Sequence, residues 1–96
     1  MILGIVQGTV VATNKADRVT GGKYLLVNKC DQHGRTRDDF IVALDLVGSG
    51  HGEMVMMAQG SPNRQTERTL DKPIDAAIIG IIDAIDQFGT DVYRKS

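Results

Sequence analysis

Three glycines within five residues, Gly48-Ser49-Gly50-His51-Gly52, stand between an apolar run at 40–47 and a methionine-rich run at 53–59. Glycine takes positive φ and lets backbones approach closely, so this density marks a sharp, crowded connection. A phosphate-binding loop would need Lys and then Ser or Thr after the glycines, and Glu53-Met54 follows instead. A dinucleotide fingerprint would need a helix to open there, which residues 54–57 do not signal. The residues favour a tight hairpin connection. A loop that meets copies of itself around a symmetry axis is the further reading.

The surrounding pattern is that of strands. Residues 2–13 are rich in Ile, Val and Thr with Gly4 and Gly8 inside the run, as in a long strand that bends or is closely approached. Residues 14–22 are a polar connection ending in Gly21-Gly22, and 23–28 form a second strand. Asp31-Gln32-His33-Gly34-Arg35-Thr36 has the residues of a turn between antiparallel strands, with Gly34 at the left-handed position. The third strand, 40–47, is apolar on both faces: Phe40, Val42, Leu44 and Leu46 on one, Ile41, Ala43 and Val47 on the other. A strand of a small antiparallel domain usually shows water one polar face, so a second apolar face calls for a cover such as a neighbouring subunit.

Residues 53–59 predict a fourth strand with Met54, Met56 and Met57 as core filler. Ser61 with Pro62 fits a helix cap and first turn, so one short helix or turn is expected there. Between Pro73 and Asp86 the isoleucines at 78, 81, 82 and 85 match helical spacing, whereas their β-branching around Gly80 suits a buried strand. Periodicity does not settle that segment. Residues 87–96 form a C-terminal extension after a single domain over 1–86.

Composition excludes several classes of function. Eleven basic and twelve acidic residues give a formal charge of -1, and four aromatics without Trp supply no stacking platform in a basic groove. The lone Cys30 excludes an internal disulfide and reads as a small apolar residue at a strand end. His33 has no companions at metal-ligand spacing and reads as an exposed loop residue. Asp83 and Asp86 have no visible acid–base partner, and Arg64, Arg68 and Lys72 alternate with Glu67 and Asp71 as on a solvated face. No nucleophile, base and orienting group come together, so no catalytic residue, metal site or cofactor is assigned. No leader or membrane-length apolar run is present, and a soluble cytoplasmic protein is expected.

Several separated stretches taken in order are similar to one family: 4–13, 22–27, Val42-Ala43-Leu44-Asp45-Leu46-Val47-Gly48-Ser49-Gly50-His51-Gly52-Glu53, Gly60-Ser61 with Arg64, and 74–83. Together they resemble the EutN/CcmL family of bacterial microcompartment vertex proteins, over 1 to about 86. The resemblance implies a mainly β fold, a small OB-like barrel with one or two short helices, in which the final isoleucine run is a strand. It implies a non-enzymatic homopentamer at the vertices of a shell of hexameric shell proteins, while the balanced charge, with no basic surplus, argues against nucleic-acid or membrane partners. It also implies a narrow central pore lined by Gly48, Ser49, Gly50, His51 and Gly52, with Glu53 at the edge. Protonated copies of His51 around one axis would repel, which would make that lining pH-sensitive. The second face of the third strand, at Ile41, Ala43 and Val47, is the expected subunit interface. The alternative function is an OB-fold module binding single-stranded nucleic acid or a small ligand.

Overall fold

The computed structural model describes residues 1–11, 23–59 and 76–95. Five strands close a barrel: β1 (Ile2–Val10), β2 (Tyr24–Cys30), β3 (Thr36–Asp45), β4 (Met54–Gln59) and β5 (Ala76–Ile81), in the order β1-β2-β3-β5-β4. Antiparallel β1–β4 pairing, from Ile2 opposite Met57 to Ile5 opposite Met54, shuts the cylinder and leaves none of the five strands as an edge. β3 and β5 run parallel, with Ala43 to Asp45 opposite Ala76 to Ile78. A parallel pair needs a long crossover, which the chain makes through the glycine loop, β4 and residues 60–75.

The barrel is filled by Val6, Leu25, Val27, Ile41, Ala43, Val55, Met57, Ala76 and Ile78. Gly4 is what allows β1 to lie so near this core: a Cβ placed there would fall 2.3 Å from Val27 Cγ1 and 3.2 Å from the Asn28 carbonyl. Met54 and Met57 are fully buried, as core filler. A register shift between Met56 and Met57 breaks the alternation expected along β4. Cys30 ends β2 in the interior, where burial pushes its thiol pKa up.

Three expectations are corrected. Ile41 and Ala43 point into the core, and the outward apolar face of β3 is carried by Phe40 and Val42, 51% and 39% exposed. Both faces of β3 are apolar, so composition alone left the choice open. β3 also begins earlier than 40, at Thr36. Its polar first half, which has no apolar alternation to reveal it, extends the β2–β3 hairpin past a shift where Asn28 Oδ1 accepts the Asp39 N–H at 3.1 Å. Finally, none of the described residues is helical, so the expected helices are not borne out among them; the one placed at Ser61-Pro62 lies outside the described residues.

Within the segment left open between helix and strand, Ala76–Ile81 is strand β5. Ala76, Ala77 and Ile78 are buried in succession, which removes the two-residue periodicity that would have revealed it. After β5 the chain forms a separate two-stranded hairpin, β6 (Ala84–Gln87) and β7 (Thr90–Arg94). The expected division between 86 and 87 falls inside β6.

Candidate functional site

The glycine loop is not a hairpin. β5 lies between β3 and β4, so residues 46–53 must bridge one end of the barrel from wall to wall. Leu46 N–H donates to the Ile78 carbonyl at 3.3 Å, and Gly52 N–H donates to the Val6 carbonyl at 2.9 Å. Val6 N–H in turn donates to the Glu53 carbonyl at 3.0 Å, fastening the far end of the bridge to β1. Gly48 and Gly52 have φ of 77° and 84°, in the left-handed region where a Cβ is strained.

One carboxylate organises the near half. Asp45, the last residue of β3, accepts the N–H groups of Val47 at 3.2 Å and Gly48 at 3.1 Å through Oδ1, and that of Ser49 at 3.0 Å through Oδ2. The Ser49 hydroxyl donates to Oδ1 as well, at 3.2 Å. A concave run of N–H groups can hold a phosphate, but here the chain's own carboxylate occupies it. The phosphate-loop reading therefore has no free donors at 47–49 to rest on.

A second carboxylate ties the far half to the chain's C-terminal end. Glu53 Oε1 accepts the Gly50 N–H at 2.6 Å, and Glu53 Oε2 meets Lys95 Nζ at 2.5 Å. The Lys95 ammonium and then the Gly50 N–H hold the Glu53 pKa below the usual carboxylate value, while the Glu53 carboxylate raises that of Lys95. A depressed carboxylate pKa stabilises the fold above the unfolded value, about 4.3 for Glu, and that contribution is lost as pH falls through the depressed value. An NMR acid titration is therefore expected to move the Gly50 amide and the Glu53 carboxyl together, with a midpoint below 4.3. Lys95→Met is expected to raise that midpoint; a native midpoint at the ordinary Glu value would contradict the linkage.

Of the residues expected at the site, Gly48, His51 and Gly52 are exposed, Gly50 and Glu53 are partly buried, and Ser49 is turned inward at 2% exposure. The loop thus presents backbone and His51, with the serine hydroxyl spent on Asp45. Of the expected interface residues, Val47 alone is exposed, on the loop. Sequence reasoning missed Asp45 as organiser, although Asp followed within a few residues by Gly and Ser is the signal for a side chain that caps its own backbone. Among the described residues no group of three or more His, Cys, Asp or Glu could hold a metal ion.

Comparison with known proteins bears on what such a loop-capped barrel is. The family model described as ethanolamine utilisation protein EutN/carboxysome matches residues 1–83. The carboxysome shell vertex protein CcmL of Synechocystis sp. is 41% identical over 95 residues, covering 99% of this chain and 95% of that protein. The solved structure of Gloeobacter violaceus CcmL superposes with a TM-score of 0.89 at 38% identity, covering 99% of this chain and 98% of that one. The pentameric microcompartment shell protein GrpN from Rhodospirillum rubrum superposes with a TM-score of 0.78 at 37% identity, over 91% of this chain and 99% of that one. This chain belongs to the EutN/CcmL family.

Proposed function

We propose that this protein is a structural, non-enzymatic component of a bacterial microcompartment shell, a homopentamer that caps vertices among hexameric shell proteins in the cytoplasm. The observation that carries the reading is full-length similarity to proteins named shell vertex proteins, together with a similar solved structure described as pentameric. A five-stranded barrel closed by β1–β4 supports the OB-like designation. Function here is geometric. A rotation that closes on itself repeats one heterologous contact around a ring, and a ring of five supplies the curvature a sheet of six-fold tiles lacks.

In this reading the loop at Gly48, Ser49, Gly50, His51 and Gly52 faces the ring axis, with Glu53 at its edge. Support comes from the local physics: a loop with two left-handed glycines, braced by Asp45 and Glu53, is narrow and held in shape, as crowding around an axis requires. For the subunit interface, outward-facing Phe40 and Val42 replace Ile41 and Ala43, joined by Val47. The barrel through β5 is the shell-protein domain, and the β6–β7 hairpin, which begins at Ala84, is its extension. Electron cryo-microscopy of the assembled protein tests this directly. Five-fold particles with the 48–52 loops nearest the axis are expected, and loops on the outer rim would overturn the pore assignment.

A further inference from the structure

The β6–β7 hairpin is built in a way the barrel does not explain. Gln87 pairs with Thr90, so Phe88 and Gly89 form a two-residue turn, with φ of 56° and 83°. Positive φ at both positions is the tight hairpin turn that favours Asn-Gly, because Asn tolerates the left-handed region. A bulky aromatic there is an outlier that costs stability. Among the described residues the strained side chain finds no compensating cover, for Phe88 is 98% exposed. A residue both strained and bare in the protomer gains its contacts elsewhere.

The rest of the hairpin agrees. Its base is held by Lys95 N–H to the Asp83 carbonyl and by Ile82 N–H to the Met54 carbonyl, each at 2.8 Å. Higher up, Tyr93 lies against Gly34, and the Gln32 amide donates to Gln87 Oε1 at 3.2 Å. Among the described residues no backbone hydrogen bond joins β6 or β7 to a barrel strand, so both edges of this two-stranded sheet stand open. Open edges are templates for another chain, and a two-stranded hairpin is marginal by itself in water. The hairpin's own charges are settled within it: Arg94 pairs with Asp91, and Asp86 accepts the Gly89 N–H at 3.2 Å, so what the hairpin offers a partner is its turn aromatic and its open edges.

We infer that the β6–β7 hairpin is an assembly arm whose turn residue Phe88 anchors in a neighbouring copy of this chain. The inference rests on the ring reading above and deepens it by naming the element that grips the next subunit. An arm on one side received by a surface on the next is a heterologous contact, the kind that closes a ring. The turn is accordingly shaped for the neighbour at the expense of the protomer.

The test is Phe88→Asn in the full chain, followed by native mass spectrometry over a concentration series and by thermal melting of the dissociated protomer. Asn-Gly suits this turn, so the protomer is expected to melt no lower than the native chain, while the concentration needed for assembly rises about tenfold or more, as for loss of a buried aromatic anchor. As a second measurement, photo-reactive benzoylphenylalanine in place of Phe88 is expected to cross-link the chain to another copy of itself. An intact ring whose concentration dependence is unchanged by Phe88→Asn, or which gives no self-cross-link, overturns the arm and leaves the ring reading standing. A native chain that stays monomeric at every concentration overturns the ring reading and the arm with it.

Discussion

Gly4→Ala is expected to destabilise the protomer by about 3 kcal/mol or more, the upper part of the range for forcing atoms into a packed core. The new methyl would meet Val27 Cγ1 at 2.3 Å, Met57 Cε at 3.0 Å and the Asn28 carbonyl at 3.2 Å. Met57 has a flexible end that can move. Val27 is β-branched, fully buried and fixed by pairing on both sides, and the carbonyl is backbone. Relief must therefore come from separating β1 and β2, one of the seams on which the barrel depends. A loss of that size corresponds to roughly 12–24 °C in Tm for a chain of this length. The matched control is Gly8→Ala in the same strand, where a Cβ would find nothing within 4 Å; it is expected to melt within a few degrees of the native protein. Thermal melts at one fixed protein concentration decide between them, since association raises Tm by mass action. Equal Tm values for the two variants would contradict the close approach at Gly4.

Asp45→Ala is the second large effect. Its carboxylate accepts three backbone N–H groups and one hydroxyl, and Ser49, at the centre of this set, is buried. Removing the acceptor leaves inward-facing donors without a partner, for which roughly 2–3 kcal/mol is the expected cost. Asp45→Asn retains one oxygen and is expected to lose about half as much. Denaturant titration measures both, and hydrogen exchange at Val47, Gly48 and Ser49 is expected to accelerate in the Ala variant before global unfolding does. If those three amides exchange at native rates in Asp45→Ala, the carboxylate does not organise the loop.

How much of this was legible in the sequence depends on the element. The apolar, β-branched cores of β1, β2 and β4 were readable but their ends were not, since β1 stops at Val10 and β2 runs on through polar Lys29 to Cys30; the 31–36 turn was readable because Gly34 supplies its left-handed position, with φ of 86°. The faces of β3 were not, since Phe40 and Val42 are as apolar as Ile41 and Ala43, and only closure of the barrel decides which pair is enclosed. β5 was hidden because its first three residues, Ala76, Ala77 and Ile78, are buried in succession and so show no alternation. The family resemblance resolved it where periodicity could not. The loop's residues were found, but its topology was not: a glycine-rich link between two strands looks like a hairpin until β5 is seen between them. The long-range tie from Glu53 to Lys95 joins positions 42 residues apart, beyond any local pattern.

The central claim is that one copy of this barrel is a fifth of a functional object. Native mass spectrometry of the purified chain over a range of concentrations counts the copies without assumption about the interface. A dominant species at five times the 10.4 kDa chain mass is the expected result. A species that remains at one chain mass throughout would contradict the account, and with it the vertex role, the axial loop and the need for outward-facing Phe40 and Val42 to find a partner.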